Sequence, residues 1–377
     1  MLGLSNAFSS SSYIPFSSTK SLSLDGSNDH ADCGAGIDLG TGDFSISFWV
    51  KLSEATNQNL LSKFETANDR WLIRTQGTDK VQFMAIVGSS TIMDVSYSGD
   101  ALSEDEWHHV VVTCDRSESD GLKIYVDKVV GTTGSGSITN INNDGDLYFG
   151  RENISFSAIT LDEAAIWNSA LPATAVIALY NDGNPTELTS AKGDYTAQAN
   201  LVAWWRMGDG AFDNISVVHD QVNPGLGAEL VVNGDFAIAS GAGVGWTAAT
   251  STNIGETTGG YGYISKVDTE TLSQAGILEV DKSYYYTFIA KSGNEVGLGH
   301  LHISGASATW RQIEDVPADW TTYSGCIRAD NVNFTFSESS HGNIYIDNVS
   351  VKEVNGNPAL IIGGVSSFSN SFSNSFN

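Results

Sequence analysis

The stretch Asp146–Gly183, DLYFGRENISFSAITLDEAAIWNSALPATAVIALYNDG, decides the fold. It opens on an aromatic strand, LYFG, and crosses a polar turn. The strand that follows alternates Ile159, Leu161, Ala165 and Trp167 with small or acidic residues, the period-2 signature of a half-buried strand. After Trp167 the spacing turns helical: Leu171-Pro172, then Val176, Leu179 and Tyr180. Asn181-Asp182-Gly183 stops this short helix with residues that tolerate a positive φ. A strand carrying an acid, then a turn or two of helix, is unusual in a chain otherwise built of strands in the order of a two-sheet sandwich.

Working outward, the composition agrees. The 377 residues suffice for two or three domains, each with its own core. Thirty-nine glycines, many Ser and Thr and only 16% charged residues describe a turn-rich β protein. A net charge of −26, with 18 Lys and Arg against 44 Asp and Glu, argues against nucleic acid and anionic membranes as partners. It suits a soluble surface protein or one that binds cations. Cys33, Cys114 and Cys326 are odd in number and lack metal-type spacing, so free thiols are expected, with a Cys33–Cys114 bridge left open. MLGLSNAFSSSSYIPFSS has neither the basic start nor the apolar run of a secretory signal, and no segment approaches the ~20 apolar residues of a membrane span.

In chain order, residues 1–20 are serine-rich with one charge, Lys20, and read as an N-terminal docking arm. Alternating strands then recur at short spacing: FSISFWVKL (44–52), RWLIRT (70–75), KVQFMAIV (80–87), WHHVVVTCD (107–115) and LKIYVD (122–127). NLVAWWRMGDG (200–210) ends this first domain, residues 21–227. Trp204 and Trp205 within it point opposite ways, so one at most is expected to be buried. A second strand-rich domain, 228–356, carries LVVNGDF (230–236), YYYTFIAKSG (284–293), WTTYSGCIRAD (320–330) and NIYIDNVSVKEV (343–354). Residues 357–377 repeat Ser-Phe-Ser-Asn. At strand period Phe368, Phe372 and Phe376 share one face, which predicts an extended tail that docks on a partner.

The closing segment, together with the strand order, resembles the laminin-G-like, concanavalin-type jelly roll over roughly residues 20–220. The second set of strands resembles a carbohydrate-binding-module jelly roll. The fold class expected is therefore all-β: two tandem jelly-roll sandwiches with extended N- and C-terminal arms. The first resemblance implies a calcium ion held by Asp25, with the Gly26 carbonyl, and Asp162, with Asp29 as a further oxygen donor; the alternative is that Asp25 and Asp29 form turns. The second implies a site using Asp347, but its companion position holds Ala237. It also implies sugar stacking on exposed rings, for which Trp246, Tyr261, Tyr263 and Trp310 are the candidates.

Catalysis has no such support. The chain contains no GxSxG, HExxH or P-loop motif, and a converging carboxylate pair is not legible in it. His108 and His109 alternate across one strand and are expected to be packed or hydrogen-bonded. His300 and His302 share a face without a visible third ligand. Two jelly rolls with uncharged arms, after the start MLGLSNAFSSS, resemble surface proteins of marine tailed bacteriophages. That resemblance implies a non-enzymatic structural and adhesive component of a virion surface, a capsid decoration or short fibre assembled in the host cytoplasm. Its expected partners are other virion proteins, further copies of itself and host polysaccharide. The alternatives are a secreted bacterial glycan-binding adhesin and a polysaccharide-degrading enzyme.

Overall fold

The structure is a computed structural model that describes residues 16–54, 56–77, 80–238, 245–248, 260–264, 271–293, 299–304, 311–338, 343–365 and 367–370. It is 49% strand and 5% helix, the all-β composition expected. The first sandwich begins with β1 (Lys20–Ser23), β2 (His30–Asp32), β3 (Phe44–Leu52), β4 (Asn59–Thr66), β5 (Asp69–Gln76), β6 (Lys80–Val87) and β7 (Ser90–Ser96). It continues with β8 (His108–Cys114), β9 (Leu122–Val126), β10 (Val129–Gly134), β11 (Asp146–Phe149), the small hairpin β12 (Arg151–Glu152) and β13 (Ser155–Phe156), then β14 (Ile159–Trp167). Helix α1 (Ala173–Tyr180), β15 (Leu201–Trp205) and β16 (Val217–Val218) follow.

The second sandwich comprises β17 (Leu226–Glu229), β18 (Thr247–Ala248), β19 (Gly262–Ile264), β20 (Thr271–Gln274) and β21 (Ser283–Ser292). Its remaining strands are β22 (Gly299–Ser304), β23 (Arg311–Val316), β24 (Thr321–Arg328), β25 (Phe334–Glu338) and β26 (Ile344–Val354). One of its sheets runs β17-β26-β21-β24 with β19 also on β26, and the other runs β18-β20-β25-β22-β23. Apolar inner-face residues such as Phe236, Trp246, Phe288 and Phe336 fill the space between them.

The chain then returns. β27 (Ala359–Ile362) inserts between β2 and β16, and β28 (Ser369–Asn370) pairs with β1. The first sandwich thus consists of β10-β9-β8-β3-β14-β1-β28, with β15 on β14, against β16-β27-β2-β11-β4-β5-β6-β7. This corrects the sequence reading of the tail. Ala359, Leu360 and Ile361 are buried in this chain's own fold, the Asp29 carboxylate accepts the Gly364 amide at 2.5 Å, and Phe368 packs beside Gly208 and Lys20. The reason is composition. NPALII, just ahead of the Ser-Phe-Ser-Asn repeat, is the apolar strand that fills a gap in the sheet. Phe372 and Phe376 lie outside the described residues.

Of the N-terminal arm, residues 1–15 lie outside the described residues. Residues 16–20 lie against the first sandwich: Phe16 stacks on Trp204 at 6.1 Å, Ser18 donates to Asp162 at 2.6 Å, and the Thr19 hydroxyl donates to Asp209 at 2.8 Å. Trp204 and Trp205 are both buried, because the outer face of this sheet is covered too. Trp205 enters the main core. Trp204 joins α1, Tyr195 and Trp167 in a second apolar layer.

A β-bulge explains that layer. β14 slips register against β3 between Asp162 and Ala165, with Glu163 at φ 49°. Strict alternation would keep Ile159, Leu161, Ala165 and Trp167 on one face. The extra residue turns the last two outward, so Ala164 and Ile166 take their places in the inner core.

The two sandwiches meet at an apolar seam in which Val217, Leu360 and Ile362 pack with Tyr285, Cys326 and Val354. Arg328 of β24 pairs with the Asp32 carboxylate across it and also donates to the Asp32 carbonyl at 3.1 Å.

Candidate functional site

The chemistry available for a ligand is concentrated on the outer face of the β24-β21-β26-β19 sheet. β21 alternates strictly: Tyr284, Tyr286, Phe288 and Ala290 are buried, while Tyr285, Thr287, Ile289 and Lys291 are half-buried on the other side. β26 does the same from Ile344 to Asp347, leaving Tyr345 and Asp347 outward. Register then sets rows across the sheet. Lys291 lies opposite Tyr345, which lies opposite Tyr263; Ile289 lies between Thr322 and Asp347; Thr287 lies between Ser324 and Ser350.

At one end of this face four aromatic rings are contiguous. Tyr345 meets Tyr261 edge-on at 5.0 Å and Tyr263 at 5.2 Å, and Tyr261 reaches Trp320 at 6.4 Å. The Lys291 ammonium stands 4.9 Å from the Trp320 ring and 5.4 Å from Tyr345, a cation–π arrangement that fixes the edge of the patch. Trp320 remains 39% exposed and the three tyrosines are half-buried. Burial raises the Asp347 carboxyl above its ordinary value; its Oδ1 accepts the Asn348 amide at 2.7 Å.

Of the sugar-stacking candidates, Tyr261 and Tyr263 are therefore brought together. Trp246 is not with them: it is buried in the core, stacked on Phe236, with its indole N–H donated to the Asn233 carbonyl at 3.0 Å. Trp310 lies outside the described residues. Sequence reasoning missed Tyr345 and Trp320. Tyr345 was legible in NIYIDN, where alternation puts it on the same face as Asp347.

The calcium candidates do not converge. Asp25 is exposed, its Oδ1 accepts the Ser27 amide at 2.8 Å, and the adjoining Gly26 abuts Ala158. Asp162 is four positions further along β14, about 13 Å at the rise of a strand. It is fully buried and occupied by Ser18 and the Glu163 amide. Asp29 holds Gly364 instead. These donors do not fit one ion, and among the described residues no group of three or more His, Cys, Asp or Glu side chains is arranged to hold a metal. Asp347 has no companion acid at position 237.

Several other polar residues are engaged within the fold. His109 stacks on Trp49 at 4.8 Å, bonds Ser47 at 2.7 Å, and is driven down to about 4 by burial. His108 links Asp127 (2.7 Å) to the Ser103 hydroxyl (2.8 Å), a sequence of partners reminiscent of a hydrolytic triad. Here, however, Nε2 also accepts the Ser103 amide at 3.1 Å, and the Ser103 hydroxyl donates to Glu106 at 2.6 Å. With its proton committed to a carboxylate, Ser103 is a turn clamp rather than a nucleophile. The other buried acids are also structural. Asp213 accepts three backbone amides, and Glu163 accepts the Trp204 indole N–H at 2.8 Å and Arg206 at 3.2 Å. Burial raises Asp213 to about 6 and Glu163 to about 7. All three cysteines are buried, and none is in a disulfide.

Residues 25–177 match the laminin-G-like family model of the concanavalin A-like lectin/glucanase superfamily. This lectin/glucanase-like segment covers most of the first sandwich. Among solved structures, a putative carbohydrate-binding protein from Bacteroides ovatus is similar at 14% identity and TM-score 0.39, over 53% of this chain and 56% of that one. The CBM40 domain of the Ruminococcus gnavus IT-sialidase, bound to α2,3-sialyllactose, is similar at 12% identity and TM-score 0.35, over 42% of this chain and 96% of that one. The CBM22-1 xylan-binding domain of Paenibacillus barcinonensis Xyn10C is similar at 12% identity and TM-score 0.25, over 34% and 97%. No curated protein matches.

Proposed function

We propose that this chain binds glycans without turning them over, and that it does so on the outer face of the second sandwich. One observation carries the reading: Tyr261, Tyr263, Tyr345 and Trp320 form a contiguous, partly exposed aromatic patch on a sheet face, bordered by Lys291 and Asp347. The C–H face of a pyranose packs on such rings, and the neighbouring ammonium, carboxylate and Ser/Thr hydroxyls exchange hydrogen bonds with sugar hydroxyls. The lectin/glucanase match of the first sandwich supports the same class of ligand.

We place this binding at the surface of a bacteriophage particle, as a capsid decoration or short fibre that engages host polysaccharide. The flanking uncharged segments support that setting, and residues 1–15 and 371–377 are the candidates for attachment to other virion proteins. A glycan array tests the binding. Wild type should bind, and Tyr345→Ala and Trp320→Ala should each weaken it about tenfold or more, the ~1–2 kcal/mol expected of a truncated aromatic anchor. A silent array, binding indifferent to both variants, or release of reducing sugar would overturn the reading.

A further inference from the structure

The aromatic patch is one end of a longer track. Along β21 the outward residues run from Lys291 through Ile289 and Thr287 to Tyr285, about 20 Å at the rise of a strand. The middle rows add Thr322, Ser324 and Ser350, so the track is lined with hydroxyls between its two ends. Its far end is blocked, because Tyr285 packs at the seam against the first sandwich.

At that end lies a pocket of about 180 Å³ lined by Phe212, Asn214, His219, Leu226 and Tyr285. Its walls come from both sandwiches. Phe212 is 62% exposed, at the mouth, and its ring lies 5.8 Å from His219. His219 is only 2% exposed, yet its Nδ1 has no hydrogen-bond partner among the described residues. Among the described residues, no Lys, Arg, Asp or Glu lines the pocket. Burial also holds His219 below its ordinary value, in the neutral form. The pocket therefore offers no countercharge to an ionic group, and Asp347 on the track together with the net charge of −26 disfavours anions.

We infer that the track holds a neutral linear oligosaccharide whose terminal ring enters the seam pocket, where Phe212 covers the apolar ring face. This rests on the glycan-binding reading and adds to it: the first sandwich, by walling one end, makes the site recognise a chain terminus rather than an internal stretch.

The test uses the full chain and calorimetric titration with maltose, cellobiose, laminaribiose and xylobiose, each against its hexasaccharide and, for the malto-series, against cyclic α-cyclodextrin. For the series that binds, the hexasaccharide should exceed the disaccharide by about tenfold or more. Phe212→Ala and His219→Phe should both bring that ratio close to one. If maltohexaose is the ligand, the cyclodextrin, which has no terminus, should bind no better than maltose. Phe212 is exposed, so its variant keeps the test valid if His219→Phe fails to fold. A hexasaccharide preference unchanged in Phe212→Ala overturns the inference while leaving the glycan-binding reading standing. A wild type that binds none of the probes overturns both.

Discussion

Deleting residues 357–377 should unfold the first sandwich, whereas deleting only 371–377 should not. Leu360 and Ile361 are 3% and 4% exposed, and burying each contributes about 1.5–3 kcal/mol. β27 is hydrogen-bonded on both edges, to β2 and β16, and each ladder bond adds about 0.5–1.5 kcal/mol net. The deletion also strips the Trp205 indole N–H of its acceptor, the Asn357 carbonyl at 2.7 Å, and leaves the buried Asp29 without Gly364. Each such orphan costs roughly 1–3 kcal/mol. Together these losses come to at least roughly 6 kcal/mol, comparable with the whole stability of an ordinary domain at about 5–15 kcal/mol. Urea titration followed by tryptophan fluorescence reads the result: Trp205 lies in the affected core, and the 371–377 deletion is the control. A 357–377 deletion with the full-length midpoint would show that β27 is an accessory strand and that the reasoning is wrong.

Other outcomes follow from the buried acids and the separated carboxylates. Glu163 and Asp213 have folded-state values raised by burial, to about 7 and about 6, so the folded state holds more protons than the unfolded chain. Their contribution is fully present below about pH 4 and is lost as pH rises through 6 and 7. Denaturation midpoints should therefore decline across that window, and Glu163→Gln should flatten the upper part; a midpoint that rises there contradicts the assignment. Calcium should leave the thermal midpoint unchanged, since Asp25 and Asp162 do not share a site. A calcium-dependent rise abolished by Asp162→Ala would restore the metal that the family resemblance implies.

Fold class was legible in the sequence because period-2 alternation and turn chemistry are local signals. The patterns in 44–52 and 80–87 became β3 and β6 where expected. What escaped was set by non-local geometry. The bulge at Glu163 inserts one residue without any Gly or Pro to announce it, and only the partner register of β3 reveals the reversal of faces. The burial of both Trp204 and Trp205 depends on Phe16 and α1 covering a sheet face, which adjacency in sequence cannot indicate. Half of the aromatic patch was readable from Tyr261 and Tyr263. Tyr345 and Trp320 join it only because β19 pairs with β26 and the register of β24 on β21 brings residue 320 beside Lys291. His219 had no local signal at all.

The insertion of one sandwich between β16 and β27 of the other has a mechanical consequence. Two connections, at 219–225 and 355–358, leave the first sandwich from the ends of adjacent antiparallel strands, where Val218 pairs with Ala359. A pull on the second sandwich is divided between two covalent tethers. It reaches the first sandwich as shear along the β27–β2 ladder, in which the hydrogen bonds share the load instead of parting one at a time. Tension applied between Lys20 and Asn370 is carried by the β1–β28 pair, so it does not run through the outer sheet face of the second sandwich.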